Sequence, residues 1–217
     1  MVTRRRAERA QRRLAALTFL LCSSTLIGGC SLTENPYESK TVNGDEAVQL
    51  IDSMRANGSF EDARERLNNS ARVIGERITA AVPGQTWRFD DDPHGVKAAR
   101  NGALCEKLHA DVARRPRADP VVFGRTFSAE EFATAADIVR EEAAQYGATD
   151  DSSLFNEQAK RDFDLQGNGY EFNLGQINFA TLTITGDCFL LQTVLDLPPG
   201  QLPPEPPILP TTPSPTP

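Results

Sequence analysis

Phe163-Asp164-Leu165-Gln166-Gly167-Asn168-Gly169-Tyr170-Glu171-Phe172-Asn173-Leu174 alternates apolar and polar residues on both sides of a Gly-Asn-Gly turn. A period of two sends every second side chain to the same face, so the stretch reads as two antiparallel strands with one buried face. Gly175-Gln176 then reads as a two-residue hairpin turn with Gly first, and residues 177–185, rich in β-branched side chains, as a third strand. Gly186-Asp187 repeats that turn chemistry before a fourth strand over residues 188–195. Such a meander buries only one face and needs a cover.

Amphipathic helices upstream supply the cover. Residues 46–54 place Ala47, Leu50, Ile51 and Met54 on one helical face, and Asn57-Gly58 stops that helix. A longer helix starts at Ser59, an N-cap with Asp62 three residues on, and runs to Ala81 before Pro83-Gly84. Its stripe is Ala63, Leu67, Ala71, Ile74, Ile78 and Ala81, while Arg64, Glu65, Arg66, Arg72, Glu76 and Arg77 read as a solvated face. Ser128-Ala129-Glu130-Glu131 has the form of a capping box and opens a third helix, with Phe132, Ala135, Ala136, Val139, Ala143 and Tyr146 inward and Gly147 as its stop. Glu130 and Glu131 fall in its first turn and Glu141 and Glu142 on an expected exposed flank, which explains these carboxylates without catalysis.

Between the helices, residues 85–90 alternate around Trp87 and Phe89 as a half-buried strand, and residues 121–127 read as another. Residues 104–113 read as a short helical element carrying Cys105, and residues 114–120, with two prolines, as a loop. Asp90-Asp91-Asp92-Pro93-His94-Gly95 offers three carboxylates and an imidazole to a hard cation such as calcium. The alternating acidic spacing of a calcium loop is missing, and Asp-Pro and His-Gly are turn chemistry, so a turn is expected and no metal or other cofactor. With His94 and His109 as the two histidines and no nucleophile elbow, the sequence predicts no catalytic set.

The N-terminus sets the compartment. Arginines at positions 4, 5, 6, 9, 12 and 13 precede an apolar run over residues 14–27, then Gly28, Gly29 and Cys30. Charge, apolar run and small-residue site read as a secretory signal peptide cut between Gly29 and Cys30. The run is too short for a bilayer, which takes about 20 apolar residues. Ile27-Gly28-Gly29-Cys30 resembles the lipobox of bacterial lipoproteins, which implies a thioether-linked diacylglycerol on Cys30 and a further acyl chain, such as palmitate, on its new amino group. Two or more chains hold a protein on a membrane because each buried methylene contributes about 0.8 kcal/mol. Arg12-Arg13 also allows the twin-arginine export route, though its flanks favour the ordinary one.

Cutting before Cys30 removes six arginines and Glu8, leaving 17 basic against 29 acidic residues, a net charge of -12. An acidic surface repels phosphate backbones and anionic headgroups, so nucleic acid is not an expected partner and the lipid must make the membrane contact. Cys22 leaves with the signal and Cys30 is lipidated, so Cys105 and Cys188 remain to pair in an oxidising compartment. The bridge closes a loop of about 84 residues, for which the chain-entropy model gives about 4 to 5 kcal/mol.

The expected organisation is a lipoprotein signal peptide (1–29), a lipidated cysteine and flexible tether (30–44), one α+β extracytoplasmic domain (45–197) and a proline-rich disordered tail (198–217). Half of the last twenty residues are proline, which favours extended geometry. Thr211, Thr212, Ser214 and Thr216 among those prolines suit either O-glycosylation or an unmodified tail. The fold class is an antiparallel β-meander sheet covered on one face by amphipathic helices, with one disulfide.

Trp87-Arg88-Phe89, Cys105, the Ser128-Ala129-Glu130-Glu131 helix start with Arg140 and Gly147, Thr181-Leu182 and Gly186-Asp187-Cys188-Phe189 together span residues 85–191. In these residues the domain resembles the mycobacterial lipoproteins of the LppA type. The resemblance implies a membrane-anchored protein of the cell envelope and carries no catalytic residues. The expected function is a non-enzymatic lipoprotein on the extracytoplasmic face of the membrane, with an envelope protein, glycan or lipid as partner. The rival expectations are a cell-wall-directed hydrolase using Asp90, Asp91, Asp92 and His94, and a lipid carrier with a pocket between helices and sheet. Neither the ligand nor the oligomeric state is legible in the sequence.

Overall fold

The computed structural model describes residues 40–157 and 160–204. Helix α1 (Gly44–Met54) buries Ala47 and Ile51 and passes through a short 3-10 turn (Arg55–Asn57) to Gly58, whose φ of 88° turns the chain. Helix α2 (Phe60–Ala81) begins where the Ser59 hydroxyl accepts the Asp62 N–H at 3.0 Å. Strand β1 (Trp87–Phe89), helix α3 (Pro93–Asn101), strands β2 (Ala103–Leu104), β3 (Ala113–Arg115) and β4 (Val121–Phe123) follow. Helix α4 (Ala129–Ala144) starts from a complete capping box, with Ser128 and Glu131 each satisfying the other's backbone N–H. After it come β5 (Asp150–Ser152), β6 (Asn156–Glu157), β7 (Lys160–Gly167), β8 (Tyr170–Gln176), β9 (Ala180–Thr185), β10 (Phe189–Leu190) and the one-turn helix α5 (Gln192–Leu195).

The main sheet has the order β1-β4-β9-β8-β7-β5, with β6 also on β7, and its pairings are antiparallel. The β7–β8 hairpin turns where the alternation broke, with Asn168 at φ 48° and Gly169 at φ 79°. Phe163, Leu165, Phe172, Leu174, Leu182 and Ile184 line one face, against Leu67, Ile74 and Ile78 of α2 and Ala135 and Val139 of α4. On the other face Asn173 donates to Asp164 at 2.6 Å, beside the threonines of β9. The fold is therefore α+β, with helices covering one face of an antiparallel sheet, and Cys105 is bonded to Cys188 with their Cα atoms 5.9 Å apart.

Several local expectations change. Strand β8 continues through Gln176, which is 3% exposed, and the turn falls on residues 177–179. The reason is the Gln176 amide: it accepts the Phe127 N–H at 2.6 Å and donates to the Phe127 carbonyl at 3.1 Å, which holds this end of the strand in the core. The segment after Gly186 does not extend the meander. There the Gly186 N–H donates to the Pro116 carbonyl and Arg115 donates to the Gly186 carbonyl, so the chain crosses to β3. Only Phe189–Leu190 is strand, in a second sheet of order β10-β3-β2, and α5 follows.

Residues 104–113 are likewise not a helix. Gly102, at φ 67°, ends α3, β2 and β3 pair across the loop, and one helical turn between His109 and Ala113 buries Leu108 and Val112. Residues 114–120 are more ordered than a loop, since β3 extends to Arg115, Arg117 bridges Thr185 and the Ala118 N–H donates to Ile184. The chain also stays on α1 past residue 197: Arg55 donates to the carbonyls of Leu195, Leu197 and Pro198, and the Gly200 N–H donates to Asp52. The Arg55 hydrogen bond holds the Asp52 carboxyl below its ordinary value.

Candidate functional site

The acidic turn is absorbed into the scaffold. Asp92 caps α3 by accepting the Gly95 N–H at 2.8 Å, and Pro93 occupies the first turn of that helix, where its missing N–H costs nothing. Asp90 accepts the Asp92 N–H, and Arg88 pairs with Asp91 at 2.9 Å and reaches Asp90 at 4.0 Å. His94 is exposed in α3, and His109 is exposed in the loop between β2 and β3. Among the described residues no group of three or more His, Cys, Asp or Glu stands close enough to hold a metal ion.

The space where a lipid carrier needs a cavity, between the helices and the sheet, is filled by Leu67, Ile74, Ile78, Val139, Leu174 and Leu182, each at most 1% exposed. Two of the surface clefts among the described residues lie against the helices. One, of about 620 Å³, lies beside α1 over Ala47, Ile51, Leu108 and Val112, and is bordered by Val42 and by Leu202 of the tail. The start of the domain and its outgoing tail thus meet at one pole.

The other cleft, of about 630 Å³, lies between the first half of α2 and the last turn of α4. These helices run antiparallel, with Arg77 paired to Glu141 at one level and Ser70 bonded to Tyr146 at the next. Ser70 is 3% exposed, and its hydroxyl lies 2.7 Å from the Tyr146 hydroxyl. Glu142, expected on an exposed flank, is 7% exposed and accepts from the Gln145 amide at 3.1 Å. Helix α4 turns its last turn into the α2 groove, and that packing covers Glu142. The Tyr146 ring is braced by Tyr170 and Phe172, with centroids 4.9 Å and 5.6 Å away. Burial pushes the Tyr170 phenol up, while Arg66 pulls it down and Asp187 and Tyr146 push it up.

Residue-by-residue reading missed this cleft because its walls come from helices about seventy residues apart. One signal was present: Ser70 is a hydroxyl on the otherwise apolar stripe of α2, and a polar side chain on a buried face needs a partner from elsewhere. Gly29, Cys30 and the tail residues Thr211, Thr212, Ser214 and Thr216 lie outside the described residues.

Residues 34–192 match the LppA family, described as a lipoprotein confined to pathogenic Mycobacterium. The chain belongs to the LppA family. Among its LppA-family relatives, "Putative lipoprotein LppB" of Mycobacterium tuberculosis is 65% identical over 205 residues, covering 94% of this chain and 93% of that one. "Putative lipoprotein LppA" of the same organism is 66% identical over 203 residues, covering 94% and 93%. The crystal structure of the putative lipoprotein LppA from Mycobacterium tuberculosis superposes with a TM-score of 0.73 at 70% identity, covering 73% of this chain and 94% of that chain. Among the described residues no helix is long and apolar enough to cross a membrane.

Proposed function

We propose that this LppA-family protein is held on the extracytoplasmic face of the cell membrane by a diacylglyceryl group on Cys30, after cleavage behind Gly29. Its domain, from about residue 45 to 197, serves as a non-enzymatic binding module for a component of the envelope. The observation that carries the reading is the coincidence of Ile27-Gly28-Gly29-Cys30 with membership of a family described as lipoproteins. A compact unit beginning at Lys40 supports it, because ten residues beyond Cys30 extend at most about 35 Å, enough to lift the domain clear of headgroups.

The test is intact-mass spectrometry of the protein extracted from its native membrane, with and without reduction. The expected mass is that of residues 30–217 plus a diacylglycerol and an acyl chain, lighter by two hydrogens than the reduced form. Retention of residues 1–29, or a mass without lipid, overturns the anchor and the location with it.

A further inference from the structure

We propose that the cleft between α2 and α4 binds a neutral, polyhydroxylated ligand: a saccharide. The inference names the ligand class for the binding module proposed above and rests on that reading.

The lining decides the class. Asp62, Glu65 and Glu142 set three carboxylates against the guanidinium groups of Arg66 and Arg72, so the cleft has no excess of positive charge for a phosphate or carboxylate ligand. Its polar walls and its hydroxyl-bearing floor exclude an acyl chain, which would strand those groups without water. A lining that mixes carboxylates, guanidiniums, amides and hydroxyls suits a ligand that both donates and accepts hydrogen bonds many times over. Asn69 and Gln145 add amides to the carboxylates and guanidiniums, and each of these planar groups presents two atoms side by side, the spacing that neighbouring ring hydroxyls offer.

The floor is preorganised. Ser70 and Tyr146 share one hydrogen bond at 2.7 Å, and each hydroxyl keeps capacity for another. Glu142 is buried with one oxygen held by Gln145, so its carboxylate sits fixed at the base of the cleft. Burying a carboxylate and a hydroxyl between two helices costs stability that apolar side chains would not, and alanine or leucine would pack there more simply. Tyr146 is locked from behind by Tyr170 and Phe172, which makes it a rigid edge to the site. A site built to hydrogen-bond hydroxyls rejects analogues lacking them far more strongly than an apolar slot can.

The experiment uses the protein extracted from its native membrane, held in detergent micelles. Calorimetry and amide NMR follow titration with neutral oligosaccharides of pentose and hexose units, with inorganic phosphate and palmitate as contrasting probes. The expected result is that at least one neutral oligosaccharide shifts the amides of Asn69, Ser70, Gln145 and Tyr146, while phosphate and palmitate leave them in place. Gln145→Ala, on an exposed side chain, and Ser70→Ala each weaken that binding about tenfold, the loss of one good hydrogen bond. Absence of any response to the whole panel overturns the inference, as does a response to phosphate or palmitate alone, or saccharide binding indifferent to both substitutions. A protein that binds saccharide but carries no lipid overturns the anchor and leaves the cleft assignment standing. A lipidated protein that binds none does the reverse.

Discussion

Glu131 shows how one residue can close a helix, a loop and a strand end together. Arg125 donates to both its oxygens at 2.8 Å, the Ser128 N–H donates at 2.8 Å, and Arg125 also reaches the Pro83 carbonyl. The Arg125 hydrogen bonds first, and the Ser128 backbone second, hold the Glu131 carboxyl at about 2, down from its ordinary 4.5. A carboxyl depressed in the folded state stabilises the fold above its unfolded value and loses that contribution as the proton returns. Urea unfolding followed from pH 6 to pH 2 therefore shows stability falling below about pH 4.5, and Glu131→Gln flattens part of that fall. An unchanged slope in the variant would exclude Glu131 as the source. Ser128→Ala, which deletes the other arm of the box, costs about 1 kcal/mol by the same measurement at pH 7. Glutamine side chains do related work nearby: Gln85 accepts the N–H groups of Thr86 and Arg125 and donates to the Arg125 carbonyl, so an amide stands in for a missing strand partner.

At the scale of elements, α2 sets the position of the sheet's β1 edge through its glycine. A Cβ at Gly75 would lie 2.5 Å from the Trp87 indole, so the ring rests directly on the helix backbone and crosses edge-on to Phe89, 5.3 Å away. Glycine in mid-helix costs about 1 kcal/mol against alanine, and here close packing of helix on sheet offsets it. Gly75→Val forces the indole out and overpacks the interface, with an expected loss of about 3 kcal/mol in chemical denaturation and a red-shifted tryptophan emission. An unaltered emission spectrum would mean that Trp87 has room the packing does not show. Helix α4 is fixed differently, by its cap at one end and by Gly147 at φ 72° at the other, which directs Tyr146 toward Ser70.

Among the described residues the large apolar cluster under α2 and α4 coexists with a smaller one of Ala47, Ile51, Leu108, Val112, Ala113, Leu190 and Val194, which joins α1 to the second sheet, and with a third of Phe60, Ala63 and Phe189. The Cys105–Cys188 bridge ties the loop after β2 to the start of β10, across 83 residues. Replacing both cysteines by serine lowers stability by about 2 to 5 kcal/mol, and hydrogen exchange quickens first in α1, β3 and β10, while β7 to β9 keep their protection. Uniform acceleration across both sheets would show a single cooperative core instead. The sequence by itself determined the features that repeat within a few residues or follow from counting. These are the apolar stripes of α1, α2 and α4, the Ser59 and Ser128 caps, the alternation of β7 and β8, and the pairing of Cys105 with Cys188. Only the tertiary structure decided that Phe189–Leu190 joins β3 and not β9, that β8 runs on to Gln176, and that Glu142 is buried beside Ser70 and Tyr146. Periodicity states which face of an element is apolar, but a short apolar strand is equally satisfied by any neighbour. The neighbour is chosen by contacts across dozens of residues, here Arg115 and Pro116 at Gly186, Phe127 at Gln176, and α2 against the last turn of α4.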